Sequence, residues 1–365
     1  MSFEESGNLN TRVIERAMTI KIGVVGTGIM GKNAIMVWQR HPGVEVAAVC
    51  DKSPERAASV AKELGIRKYY TDHREMLEHG DLDAVHVNTP DWAHRDPVVD
   101  SMRAGKHVLV EKPMTTDIQE ADEIVKLVAE TGKKFQVSFN HRWLSVYHKI
   151  YSDIKAGKIG KCLMGYAKKS DPILVPTEWL PWAARSTSAW FLSSHDIDLV
   201  SWWVDSDGDE VYASGARQVL KNRGIDTYDA IQAHVKFKNG FFATFESAWI
   251  YSNKSPYMPD SYMEIVGTEG HIFSDRKAEA IEMADKDAYT YPRTLLNYKV
   301  FDKWQGALPS CMYSFIDAIT EDRETFVTAK DGRRVTAILD AIHRSLASGK
   351  PERVAQQRWP EAFIA

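Results

Sequence analysis

Short apolar runs alternate with amphipathic stretches over the first 140 residues. The pattern of buried strands recurs at Thr19–Val25, Val44–Val49, Asp83–Val87, His107–Val110 and Lys134–Phe139. One helical pattern follows the glycines after Val25, a second opens at Ser53-Pro54, and a third spans Asp117–Gly132. Strands and helices that alternate in this way predict an α/β fold with a doubly wound parallel sheet.

After about residue 141 the pattern changes to antiparallel hairpins. His234–Phe237 alternates polar and apolar residues, a turn at Lys238–Gly240 follows, and Phe241–Ile250 runs back. These runs predict a C-terminal α+β domain with a large open, mostly antiparallel sheet, and Gly332–Ser348 predicts a late amphipathic helix. We expect three parts: an N-terminal extension at 1–18, the doubly wound domain at 19–140 and the second domain at 141–365.

Composition excludes several classes of protein. Of the 365 residues 44% are hydrophobic and 26% are charged, with a formal net charge of −4, which argues against a disordered chain and against nucleic-acid binding. No apolar run is long enough to span a bilayer, and the first 18 residues lack the apolar segment of a secretory signal. Cys50, Cys162 and Cys311 have neither disulfide nor zinc-site spacing. We expect a cytoplasmic protein with no bound metal and no membrane partner.

A glycine-rich turn carries the first chemical signal. Gly26-Thr27-Gly28-Ile29-Met30-Gly31 fits G-x-G-x-x-G between a strand and a helix. The glycines allow a tight turn, close approach of a pyrophosphate and close helix packing, while the helix N-terminus supplies donors. Asp51 ends the second strand, where a carboxylate binds the adenosine ribose hydroxyls. The sequence therefore predicts a dinucleotide site at these residues.

The same region bears on the choice of cofactor. Asp51 favours NAD, because a carboxylate would repel the 2′-phosphate of NADP. Lys52 leaves NADP open, since its ammonium group could either bind that phosphate or remain a solvated turn residue.

A further set of motifs carries a family resemblance. Glu111-Lys112-Pro113 follows a buried strand, and the chain also contains Thr89–His94, Asn140–Arg142, His195–Asp198 and Val266–Gly270. In this order, and with the glycine-rich turn, the chain resembles the glucose-fructose oxidoreductase/inositol dehydrogenase/rhizopine-catabolism (Gfo/Idh/MocA) family over nearly all of its length after residue 18. The resemblance implies a Rossmann domain, an α/β domain that mediates oligomerisation, and NAD(P)-dependent oxidation or reduction of sugars, cyclitols or their derivatives.

The resemblance also implies roles for individual residues. The additional cofactor contacts would be Thr89, Pro90, His94, Glu111, Lys112 and Asn140. Lys112 stands at the carboxyl end of a parallel strand, where a partly desolvated lysine could bond to a substrate hydroxyl or exchange a proton with it. Pro113 would follow a cis peptide that turns this lysine into the cleft.

His195 is the second catalytic candidate. Histidine titrates near neutrality and suits the base that removes a hydroxyl proton as hydride leaves carbon. The alternative is a core histidine at a helix start, capped by Asp196 or Asp198. The chain departs from the family just before this histidine: Ser186-Thr187-Ser188 replaces glycines, and Phe191 stands where members usually carry an aspartate.

Tryptophans are dense around the same segment. Trp179, Trp182 and Trp190 lie close to Arg185, and flat aromatic faces suit the C–H faces of sugar rings. These tryptophans could equally form a core or a subunit interface. The expected substrate contacts are Lys112, Arg142, Trp179, Trp182, Arg185, Phe191 and His195.

We predict an NAD(P)-dependent oxidoreductase that transfers hydride between nicotinamide and a carbinol carbon of a sugar, cyclitol or related polyol. Two alternatives remain, an NAD-dependent glycosidase of the same fold and a non-catalytic regulator that binds dinucleotide or sugar. A homodimer or homotetramer is expected through the C-terminal sheet, because that sheet is rich in aromatic residues, among them Phe241, Phe242, Phe245 and Trp249.

Overall fold

The computed structural model describes residues 19–357, and the first half of this range forms a parallel sheet. Its strands are β1 (Ile20–Val25), β2 (Val44–Cys50), β3 (Lys68–Tyr70), β4 (Ala84–Val87), β5 (His107–Val110) and β6 (Phe135–Val137). They lie in the order β3-β2-β1-β4-β5-β6, and every neighbouring pair is parallel. The direction of winding reverses between β1 and β4, where doubly wound sheets bind dinucleotides. The predicted parallel sheet is confirmed.

Five helices connect these strands, and the sequence predicts three of them: the helix after the glycine-rich turn, the one that opens at Ser53-Pro54 and the one at Asp117–Gly132. The five are α1 (Ile29–Trp38), α2 (Pro54–Leu64), α3 (His73–His79), α4 (Arg95–Arg103) and α5 (Ile118–Thr131). Ser53 caps α2 by accepting a hydrogen bond from the Arg56 amide, and α2 ends at Gly65, which adopts the left-handed conformation. Asp117 caps α5 in the same way. Local capping therefore decides where both helices begin.

The second half of the chain adds four helices and eleven strands within the described range. The helices are α6 (Ser145–Lys155), α7 (Ser194–Val204), α8 (Ala307–Thr320) and α9 (Ala329–Ser348). The strands are β7 (Cys162–Pro172), β8 (Gly208–Ala216), β9 (Ala230–Phe237), β10 (Phe242–Tyr251), β11 (Asp260–Gly267), β12 (His271–Asp275), β13 (Met283–Ala284), β14 (Tyr289–Thr290), β15 (Tyr298–Val300), β16 (Lys303–Gln305) and β17 (Glu352–Arg353).

Seven of these strands form one large sheet. Their order is β12-β11-β7-β10-β9-β8-β17, and only β7 and β10 pair in parallel. This arrangement confirms the predicted, mostly antiparallel sheet. The remaining four strands form two separate hairpins, β13-β14 and β15-β16. No helix within residues 19–357 is long and apolar enough to cross a membrane.

One face of the large sheet is covered by the chain itself. Phe241, Phe245 and Trp249 are buried in the protomer, whereas Phe242 is 41% exposed. The aromatic residues behind the expected oligomer are therefore divided: three stabilise the protomer and one remains on the open face. The oligomer itself stays a prediction.

The chain crosses back to the first domain near its end. Leu308 and Met312 of α8 pack in the same core as Ile20 and Trp38, so the first domain is completed by residues far beyond position 140. The expected division at 140/141 stays a prediction, and α8 packs across it. The late helix α9 begins at Ala329, three residues before the predicted start, because a capping box at Thr328 satisfies its first turn.

Candidate active site

The glycine-rich turn is shaped for a phosphate. Gly26 adopts a φ of +89°, and a Cβ added there would lie 2.6 Å from the Asn88 carbonyl group. A Cβ at Gly31 would lie 1.8 Å from the Gly26 carbonyl oxygen, so close packing requires both glycines. A Cβ at Gly28 would meet nothing within 4 Å, and α1 has no side-chain cap. The turn thus leaves open space and free amide donors where a pyrophosphate binds.

Asp51, directly after β2, is hydrogen-bonded to this turn. Its Oδ2 accepts hydrogen bonds from the Thr27 amide at 2.9 Å and the Thr27 hydroxyl at 3.0 Å, while Oδ1 accepts one from the Ser53 amide at 3.0 Å. The guanidinium of Arg56 lies 3.5 Å away, and Lys52 is exposed beside it. The sequence analysis did not single out Arg56, although its position in the first turn of α2 offered that signal.

Predicted cofactor residues also line the loops that follow β4 and β5. His94 bridges these loops, with Nδ1 2.8 Å from the Pro113 carbonyl oxygen and Nε2 2.9 Å from the Thr89 carbonyl oxygen. Burial lowers the pKa of His94 to about 4, so the ring stays neutral. Pro90 precedes a short 3₁₀ turn in the same loop. At the first turn of α1, Ile29 is 57% exposed and Met30 is half-buried.

Lys112 leaves the end of β5 and reaches the second domain. The peptide before Pro113 is cis, as expected. The Nζ of Lys112 donates a hydrogen bond of 2.5 Å to the carbonyl oxygen of Phe191 and lies 4.2 Å from the centre of the Phe191 ring. Burial lowers the pKa of Lys112 to about 8, although the carboxylates of Glu111, Asp91 and Asp171 oppose the shift.

His195 stands in the first turn of α7, directly after the π-helical turn Ala189–Ser193. Its ring stacks on the ring of His141, with centroids 3.9 Å apart and planes 15° apart. Its Nδ1 is buried without a hydrogen-bond partner among the described residues. Burial, and next the positive charge of Lys112, hold the pKa of His195 well below its ordinary value. The ring is therefore neutral at pH 7 and able to accept a proton.

Two buried charged residues of β7, Lys169 and Asp171, belong to the same region and are not among the predicted site residues. Lys169 is buried and forms an ion pair with the buried Asp196. Asp171 is 5% exposed, and burial raises its pKa to about 6 against the opposing charges of Arg293 and Lys112. The sequence offered one signal for them, namely charged residues at alternate positions in the segment before Pro172.

Two predicted residues after β6 take different roles. Asn140 is buried, and its Oδ1 has no partner among the described residues, which leaves it available to a ligand. Arg142 is engaged by the protein: it bonds to Asp198 at 2.6 and 2.9 Å, to Asp331 at 3.0 Å, and to the carbonyl oxygen of Phe326 at 3.2 Å. This buried network gives no support to the expected substrate contact of Arg142.

The tryptophans of the segment from Trp179 to Trp190 differ in their burial and in their contacts. Trp190 is buried and stacks on His343, whereas Trp179 is 46% exposed. The ring of Trp182 meets that of Phe191 edge-on at 6.2 Å, next to Lys112. Another predicted substrate contact, Arg185, stacks at 3.2 Å over the ring of Trp92, which belongs to the first domain. The structure thus brings Trp182 and Phe191 to the Lys112 region.

Comparison with known proteins identifies the fold and its chemistry. Residues 20–139 match the oxidoreductase family GFO_IDH_MocA in its NAD-binding Rossmann fold, and residues 152–355 match the C-terminal alpha/beta domain of the same family. The chain belongs to this family. It is therefore an oxidoreductase, and its first domain is the NAD-binding Rossmann domain of the family.

Similar proteins act on cyclitols. The chain is 32% identical to the NAD⁺-dependent scyllo-inositol 2-dehydrogenase of Bacillus subtilis, over 70% of this chain and 73% of that one. It is 27% identical to the inositol 2-dehydrogenase of Rhizobium meliloti, over 93% and 100%. The structure of scyllo-inositol dehydrogenase from Lactobacillus casei, with bound NAD(H) and scyllo-inositol, shares the fold with a TM-score of 0.78, at 24% identity and over 93% and 100%.

Proposed function

We propose that this protein is an NAD-dependent dehydrogenase that oxidises a ring carbinol of a cyclitol or a closely related polyol. The observation that carries the proposal is the convergence of Lys112 and His195, from two domains, beyond the carboxyl edge of the Rossmann sheet. The open space at Gly28 and the unpartnered Oδ1 of Asn140 fit a bound dinucleotide. The names of the relatives support a cyclitol as the substrate.

Bound NAD would supply the acceptor for the hydride. The ring of His195 is neutral because its pKa is held well below 6.5, and in this form its unprotonated nitrogen can accept the proton of the substrate hydroxyl. Lys112, in its ammonium form, donates a hydrogen bond to the same oxygen and stabilises the negative charge that develops there. Phe191 packs against the Lys112 ammonium group and forms an apolar wall that limits the access of water.

A screen with purified protein tests the proposal. Inositol isomers, aldoses and glycosides are offered with NAD, and NADH formation is followed by absorbance. We expect turnover with at least one cyclitol, and its loss in Lys112→Met and His195→Asn. Cleavage of a glycoside without net NADH would favour the glycosidase. Tight NAD binding with no turnover of any compound would favour the regulator.

We also propose a homodimer or homotetramer joined through the large C-terminal sheet. Met164, Tyr212 and Phe242 are exposed on the same face of this sheet, and an exposed apolar face commonly marks an interface. A cytoplasmic location stays a prediction of the sequence.

A further inference from the structure

Position 191 presents a phenyl ring to Lys112, so any carboxylate that serves Lys112 must come from another part of the chain. Three carboxylates influence this lysine electrostatically, and they belong to Glu111, Asp91 and Asp171. Glu111 accepts a hydrogen bond from the Lys112 amide. Asp91 accepts hydrogen bonds from the Ser186 hydroxyl at 2.5 Å and from the Trp92 amide at 2.8 Å. Within the described residues, only Asp171 of the three has no hydrogen bond or ion pair.

The position of Asp171 explains how it can face the cleft. It lies on β7 two residues after Lys169, and alternate residues of a strand project from the same face of the sheet. Lys169 uses this face to reach Asp196 at the start of α7, beside His195. Asp171 therefore lies on the face of β7 that is turned toward the start of α7, and the π-helical turn that contains Phe191 directly precedes this helix.

We propose that Asp171 is a positioning residue that supplies the carboxylate missing from position 191 and holds Lys112 in its ammonium form against the substrate. The inference rests on the proposed function and names a residue for the same site. A buried carboxylate near an ammonium group stabilises the protonated amine, and this is the form that donates to a developing alkoxide.

The charges around Asp171 define a pH window. Lys112, Lys169 and Arg293 are the positive groups that lower the pKa of Asp171 electrostatically, and His195 is neutral. Burial raises the pKa of Asp171 to about 6, so the carboxylate is ionised above that pH. Lys112 is protonated below about pH 8. Both groups are charged between about pH 6 and pH 8.

A measurement that needs no substrate tests the interaction between Asp171 and Lys112, called the pair below. Acetylation of Lys112 by acetic anhydride is quantified by peptide mass spectrometry across pH, since only the unprotonated amine reacts. In Asp171→Asn, the midpoint of this reaction should fall by about one pH unit, or roughly tenfold in the protonation constant. Asp226→Asn, which removes an exposed carboxylate paired with Arg217, should leave the midpoint unchanged.

A second variant that restores the carboxylate, and the activity of Asp171→Asn, complete the test. The double variant Asp171→Asn/Phe191→Asp should restore the midpoint, because position 191 already touches Lys112. With a cyclitol that the wild type oxidises, Asp171→Asn should lower kcat/KM by roughly tenfold or more and remove the acid limb near pH 6, with NAD affinity unchanged.

A midpoint that stays in place in folded Asp171→Asn overturns the pair. If the wild type oxidises no polyol while the midpoint still moves, the proposed function fails and the pair stands. If Asp171→Asn does not fold, carbon NMR of the Asp171 carboxyl decides: its midpoint should rise in Lys112→Met, and an unchanged midpoint overturns the pair.

Discussion

The ammonium group of Lys112 donates a hydrogen bond to the main-chain carbonyl oxygen of Phe191. Phe191 stands four residues before His195 in the chain. This contact links the end of a Rossmann strand to the π-helical turn that precedes α7 in the second domain. It also brings Lys112 to the segment that leads into His195, the other residue that we assign to proton handling.

Lys112→Met should lower kcat by roughly a hundredfold or more, because the developing alkoxide loses its hydrogen-bond donor. The wild-type kcat/KM should fall above about pH 8, since the pKa of Lys112 is lowered to that value and the donor is lost as pH rises through it. Steady-state rates across pH check both effects. The exposed Lys149→Met is the control, and equal losses in both variants would refute the assignment.

His195→Gln should lower turnover by roughly a hundredfold or more, because the hydroxyl proton loses its assigned acceptor. NAD affinity should change little, since the phosphate loop and Asp51 hold the other half of the dinucleotide. Stopped-flow rates and calorimetry measure the two quantities. His79→Gln, at an exposed histidine, serves for comparison. A loss of NAD binding that matches the loss of turnover would contradict the assigned role.

Asp51 should make the protein bind NAD more tightly than NADP. In Asp51→Ser the affinity for NAD should fall by roughly tenfold, about 1.4 kcal/mol, while NADP binding improves because Arg56 and Lys52 can then face the 2′-phosphate. Calorimetry with both cofactors measures this change, with Asp226→Ser as the control. A wild-type preference for NADP would make Lys52 or Arg56 the deciding residue.

Phe242→Glu should break the expected oligomer, because it places a charge on the exposed face of the large sheet. Light scattering should then give a smaller mass than that of the wild type. Tyr69→Glu places the same charge on the exposed edge of the Rossmann sheet and should leave the mass unchanged. A wild type that is monomeric at micromolar concentration would contradict the oligomer.

Arg142→Leu should lower the free energy of unfolding by about 3–5 kcal/mol, because it leaves the buried Asp198 carboxylate unpaired. Urea denaturation measures the loss. Arg344→Leu, which removes a half-exposed arginine paired with Asp340, should cost about 1 kcal/mol or less. Unchanged stability with a raised KM would instead restore the predicted substrate contact of Arg142.

Local sequence was sufficient for five of the six Rossmann strands, for helices α1, α2 and α5, and for the glycine-rich turn. The turn from Gly26 to Gly31 and the cap at Ser53 act through neighbouring residues, so their geometry can be deduced from short patterns. The order of the motifs along the chain predicted the family, and the matches to both of its domains confirm that prediction.

The tertiary structure decided what depends on contacts between distant segments. The return of α8 to the first core, the engagement of Arg142 by Asp198, and the burial of Asp171 have no local pattern in the sequence. Burial and charge at these points are set by strands and helices that lie far apart along the chain. The sequence by itself determined which chemical groups are available, whereas packing of the two domains decided which of them share one cleft and in which protonation state.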